Sequence, residues 1–135
     1  MATTFNPPGI WQPFGAFSMM KIQGAGRIVH LKGQVSLDRS GEVVGRGDMR
    51  AQVRQALENI AAVLEAGGAK PQHVTRLTWY VRDIDEYLAA RKELGAAYRA
   101  VMGDHFPAMA LVEVSRLVEP QARVEIEATA VVPRR

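Results

Sequence analysis

From Arg27 to Val35 the chain alternates: Val29, Leu31, Gly33 and Val35 fall on one side, and Ile28, His30, Lys32 and Gln34 on the other. Period two predicts a strand. Gly33 interrupts that pattern, and a glycine inside a strand marks a bulge or a close backbone approach. A shorter apolar run, Phe17 to Gln23, ends at Gly24-Ala25-Gly26, and the spacing suggests a hairpin with the strand that follows. After a turn at Asp38–Gly41 and a short Val43–Val44 segment, the period changes. Val53, Leu57, Ile60, Ala61 and Leu64 recur at helical spacing, with Asp48 placed as N-cap and Gly67-Gly68 as the stop. His73 to Arg82 reverts to period two, with Leu77, Trp79 and Val81 opposed to Arg76, Thr78 and Tyr80. Asp83-x-x-Glu86 has the spacing of a capping box, and a second helix runs from there to Gly103. Ala108–Val114 and Arg123–Val131 read as two final strands.

The predicted order is β-β-α-β-α-β-β. It implies an α+β fold, one mixed sheet with two helices on one face. The uncovered face is expected to carry Arg76, Thr78, Tyr80, Glu113, Arg123, Glu125 and Glu127 beside Met109 and Leu111. Such a mixture suits neither a core nor a solvated surface, and it reads as a subunit interface.

Composition narrows the function classes. The 135 residues make a single domain, residues 1–135, in which Pro7, Pro8, Gly9 and Pro13 make 1–16 an extended arm. Cysteine is absent, which excludes a disulfide framework, a thiolate metal site and a cysteine nucleophile. No apolar run approaches the roughly 20 residues of a membrane span, and the N-terminus lacks a signal-peptide pattern. A cytoplasmic protein is expected. The net charge of +3 comes from basic residues interspersed with acids, not from a basic stripe. No His–His or His–Lys pair has spacing suited to phosphodiester cleavage. Nucleic acid and membrane are therefore not expected as partners.

Several segments, taken in order, are similar to one family. They are Gly33-Gln34 with Asp38, Gly41-x-x-x-Gly45-x-Gly47-Asp48, Gln52, Ala56-Leu57-x-Asn59-Ile60, Val63-Leu64 and Ala66-Gly67-Gly68-Ala69. Val74, Tyr80-Val81-x-Asp83, Phe106-Pro107-Ala108, Val112-Glu113-Val114, Leu117 and Val124-Glu125-Ile126-Glu127-Ala128 continue the series. Over these residues the chain resembles the RidA (YjgF) family of reactive-intermediate deaminases. The resemblance implies a chorismate-mutase-like fold and a homotrimer whose sheets form a central barrel, with clefts between subunits. It also implies hydrolysis of enamine or imine intermediates, released by pyridoxal-phosphate enzymes, to a keto acid and ammonia. Neither metal nor cofactor is implied.

The resemblance also marks a loss. Typical members carry an arginine directly after Pro-Ala to hold the substrate carboxylate. Here that position is Met109. A thioether cannot replace a charged fork. The family's tyrosine is matched by Phe17, the serine before Gly-Gln by Lys32, and a position often cysteine or serine by Leu111. Glu125 matches the family's glutamate in the last strand and is the catalytic candidate. Phe17, Lys32, Gly33, Met109 and Leu111 are the substrate-binding candidates. For several of these a plainer reading stands beside the functional one: Met109 and Leu111 as packing residues, Glu125 as an acid paired with Arg76 or Arg123, Lys32 as a solvated strand residue. Two functions accordingly remain. One is a deaminase-like hydrolase acting on a small metabolite, inefficient on 2-iminopropanoate. The other is a non-catalytic metabolite-binding trimer.

Overall fold

The computed structural model describes residues 3–5, 20–22 and 24–134, with side chains from residue 24 onward. Four strands form the main sheet: β3 (Gly26–Gln34), β4 (Val74–Val81), β5 (Ala108–Glu113) and β6 (Val124–Pro133). Their spatial order is β3-β6-β4-β5, with β4 and β5 parallel and the other neighbours antiparallel. A separate two-stranded ribbon pairs β1 (Thr3–Phe5) with β2 (Met20–Ile22). The expected hairpin is thus corrected. Among the described residues β2 pairs with β1 rather than β3, and β3 stands at the edge of the main sheet with β6 as its neighbour.

Helix α1 (Met49–Ala66) starts where the sequence places it. Asp48 is extended, and its carboxylate accepts a hydrogen bond from the Ala51 amide at 3.1 Å. Met49, Val53, Ala56, Leu57, Ile60 and Leu64 are buried along one stripe that packs on β3 and β6. Gly67 caps the helix, and Gly68 follows at φ +76°, a backbone that favours glycine.

The second predicted helix is two. α2 (Ile84–Ala89) and α3 (Arg91–Met102) meet at Ala90, whose ψ of 8° breaks the helical run. The break lets Leu94, Ala97, Tyr98 and Met102 turn onto the core while α3 lies against α1. Asp83 caps α2 through the amides of Asp85 and Glu86. Glu86 itself reaches Arg123, so its part in the expected capping box gives way to an ion pair at 2.7 Å.

Burial alternates from Leu77 to Val81 in β4 and from Val124 to Ala130 in β6, so Leu77, Trp79 and Val81 meet Val124, Ile126 and Ala128 under the helices, with Val74 set off by a register shift before Arg76. The opposite face bears no helix among the described residues. Among the described residues no helix is long and apolar enough to cross a membrane.

Candidate functional site

The ladder between β3 and β6 runs in register from Gly26↔Pro133 to Leu31↔Ala128 and resumes at Gln34↔Ile126. Lys32 and Gly33 therefore stand together opposite Glu127. This is a bulge, two residues against one. Without it Gly33 would face Ile126 and the core, as simple alternation predicts. With it Gly33 turns to the open face and meets Glu125. A Cβ on Gly33 would lie 2.2 Å from Glu125 Oε2 and 2.9 Å from its Cδ. The carboxylate thus lies directly over the glycine backbone. The sequence signal at Gly33, a bulge or a close approach, corresponds to both.

Lys32 projects into solvent beside this contact. Its Nζ approaches the Gly33 carbonyl at 3.4 Å, and no carboxylate lies within 4.0 Å of it among the described residues. The Gln34 side chain ties the bulge by donating to the Lys32 carbonyl at 2.9 Å.

One rung further, β4 contributes Tyr80, whose backbone is paired with Glu125. Its hydroxyl donates to Glu127 Oε1 at 2.6 Å. That bond pushes the phenol's pKa up, with desolvation and the negative charges of Glu127 and Glu125 acting the same way. Lys32, Gly33, Glu125, Glu127 and Tyr80 therefore form one polar cluster on the open face. Sequence reasoning placed Tyr80 and Glu127 on that face but not in the site. The missing information is the β4–β6 register, which alternation along separate strands does not carry.

The β5 candidates lie elsewhere. Met109 is paired with Leu77 and Leu111 with Trp79, and both pack against the core from the helix side. The expected placement of Met109, Leu111 and Glu113 on the open face is therefore corrected. The parallel β4–β5 register fixes the opposite phase, and Ala108, Ala110 and Val112 occupy that face. Glu113 is paired with Val81 and accepts from the Ile84 amide at 3.0 Å, helping to start α2. β5 is the sheet edge opposite β3, three strand spacings or roughly 14 Å away. A single copy therefore does not bring Met109 and Leu111 to Gly33 and Glu125. Phe17 lies outside the described residues.

Two plainer readings can be checked directly. Arg123 is committed to Glu86, with Nε at 2.8 Å from both carboxylate oxygens, so it does not neutralise Glu125. Arg76 is paired with Thr129, four residues along β4 from Tyr80, or roughly 13 Å. Two of the three histidines have other duties: His105 Nε2 lies 2.7 Å from the Val74 carbonyl, and His73 Nδ1 accepts from the Lys70 amide. Among the described residues no group of three or more His, Asp or Glu side chains could hold a metal.

The comparisons agree with this architecture. The profile of the family described as Endoribonuclease L-PSP matches residues 10–132. A RutC family protein of Pyrococcus horikoshii is 37% identical over 128 residues, covering 94% of this chain and 93% of that protein. A 2-iminobutanoate/2-iminopropanoate deaminase of Salmonella typhimurium is 36% identical over 133 residues, covering 95% and 94%. A Rid family protein of unknown function from Yersinia pestis superposes with a TM-score of 0.84 at 37% identity, over 97% of this chain and 98% of that one. The YjgF gene product of Escherichia coli superposes with a TM-score of 0.66 at 31% identity, over 93% and 90%. With a profile spanning nearly the whole chain and a shared four-stranded sheet, this protein belongs to the Endoribonuclease L-PSP family, the RidA/YjgF proteins.

Proposed function

We propose that the protein is a deaminase-like hydrolase of small imines or enamines, working in a cleft between copies of the chain in the cytoplasm. The observation that carries this reading is the Glu125 carboxylate lying across Gly33 at the β3 bulge, open to the uncovered face. A relative sharing 36% of its residues bears the name of an imine deaminase, which supports the same chemistry.

The reaction asks little of the protein. Water adds to the C=N carbon while a base takes one of its protons. That proton passes to nitrogen and gives a carbinolamine; its hydroxyl proton then passes to the amino group, the C–N bond breaks, and ammonia leaves as the carbonyl forms. Glu125 is suited to take the proton from water and return it to nitrogen. A site that also contains Met109 and Leu111 needs the β5 edge of one copy to meet the β3 edge of another, since one chain separates them. A homotrimer with clefts between subunits meets that need.

The test is ammonia release from imines generated in place by an amino-acid oxidase. Glu125→Gln keeps the shape and hydrogen bonding and removes the base. Turnover is expected to fall at least about tenfold, the low end for acid–base catalysis, with the assembly intact. Unchanged turnover overturns the catalytic reading. Activity on 2-iminopropanoate is expected to be weak beside that of an arginine-bearing relative, because Met109 offers no charge. Met109→Arg is expected to raise it.

A further inference from the structure

We propose that Lys32 supplies the cation that holds the substrate's carboxylate, taking over from β3 the task that Met109 cannot perform from β5. The inference rests on the hydrolase reading and adds the residue that selects an anionic substrate. It starts from charge. A small imine of a 2-oxo acid presents a carboxylate within one bond of the carbon that water attacks. Its recognition needs a positive group close to the base, yet not quenched by it.

Arg76 and Arg123 are excluded by geometry. Arg123 is locked in a forked pair with Glu86 beneath α2. Arg76 stands four residues along β4 from Tyr80, about two side-chain rungs too far. Lys32 adjoins Gly33, whose backbone underlies the Glu125 carboxylate. Its ammonium has three donors, and among the described residues it meets the Gly33 carbonyl at 3.4 Å and no carboxylate within 4.0 Å. Acid and cation thus flank one glycine without forming an ion pair within 4.0 Å, so each can act on a different end of one small molecule.

The bulge is what creates this arrangement. It turns two successive residues, Lys32 and Gly33, to the open face, where a regular strand would turn only one. A lysine is a flexible point charge rather than a planar fork. The carboxylate is therefore held less firmly than by an arginine, in line with the weak activity expected on 2-iminopropanoate.

The experiment compares the full-length protein with Lys32→Ala, Lys32→Gln and Lys32→Arg. The readouts are steady-state hydrolysis of 2-iminobutanoate generated in place, and calorimetric binding of 2-oxobutanoate and its neutral methyl ester. For Lys32→Ala and Lys32→Gln, KM is expected to rise at least about tenfold, with kcat within about threefold. Binding of 2-oxobutanoate should weaken in parallel, and the wild-type preference for acid over ester should vanish. Lys32→Arg should restore both. A purely structural lysine would move neither the KM–kcat split nor the acid–ester preference. If Lys32→Ala keeps its KM and preference while Glu125→Gln loses turnover, the hydrolase reading stands and the Lys32 inference falls. If the wild type binds 2-oxobutanoate through Lys32 but turns nothing over, the reverse holds. A wild type that neither binds nor hydrolyses overturns both.

Discussion

At Gly33 the stability cost and the functional cost of a side chain should separate. Its φ is not in the left-handed region, so alanine meets no backbone strain there. What the new methyl group meets, at 2.2 Å, is the far end of a flexible glutamate. Gly33→Ala is therefore expected to fold, with stability changed by less than about 1 kcal/mol in urea, since the carboxylate can swing into solvent. Turnover should nevertheless fall by at least about tenfold, because the displaced group is the proposed base. Loss of both together would mean that the contact is a packing feature. Tyr98 is the opposite case, a residue that matters to the fold alone. It is buried against Phe106, and its hydroxyl donates to the His105 carbonyl at 2.5 Å. Burial pushes its pKa well above the usual phenol value. The unfolded chain releases this proton near pH 10 while the folded chain retains it. The stabilisation is thus fully present below pH 10 and is lost as pH rises toward the folded value. Chemical denaturation from pH 8 to 11 should show that decline, and Tyr98→Phe should flatten it. The same substitution should cost about 1 kcal/mol at neutral pH for the lost hydrogen bond.

At the scale of elements, one buried polar side chain joins three parts of the chain. Gln52 of α1 donates to the carbonyls of Gly45 and Gln121 at 3.1 Å each and accepts from the Arg123 amide at 2.7 Å. It thereby fixes the loop before α1 and the entry to β6, the strand that carries Glu125. Gln52→Met fills the space but strands three backbone groups. A loss of about 3 kcal/mol is expected, read as a lower urea midpoint at unchanged slope. The elements themselves were largely legible, because α1, β4 and β6 each bury a stripe of the right period between clear stop signals. Asp48 and Gly67 marked the ends of α1 correctly. What single strands could not reveal was their mutual register. Alternation assigns two faces to β5 but does not say which is inward, and its apolar residues allowed either phase until Leu77 was paired with Met109. The same gap hid Tyr80 from the site. Gly33 was legible as an irregularity, while its partner, 92 positions away in sequence, emerged only from the fold. The break at Ala90 left no proline or glycine to announce it.

At the scale of the molecule, the uncovered sheet face is the dominant unsatisfied feature. Ile28 is 64% exposed and Val112 43% exposed on it, with Ala108 and Ala110 between charged and aromatic neighbours. Apolar side chains on a strand face lose favourable burial when left in water, about 1.5–3 kcal/mol for a valine or isoleucine. Association of copies through this face would recover it and would also bring the β5 edge of one chain toward the β3 bulge of another. Sedimentation at micromolar concentration is therefore expected to give about three times the 14.8 kDa of one chain. Val112→Glu supplies the discriminating case. The position is exposed in the single copy, so the chain should still fold with an unchanged circular dichroism spectrum. In a closed threefold assembly the substitution occurs three times, and each copy buries an unpaired carboxylate. The assembly should dissociate at concentrations where the wild type remains intact. Turnover should fall with it, although Lys32, Gly33 and Glu125 are untouched within every copy, and raising protein concentration should recover part of the loss. An active monomer, or a dissociated variant with wild-type turnover, would show that the β3 bulge works alone and that Met109 and Leu111 have no place in the site.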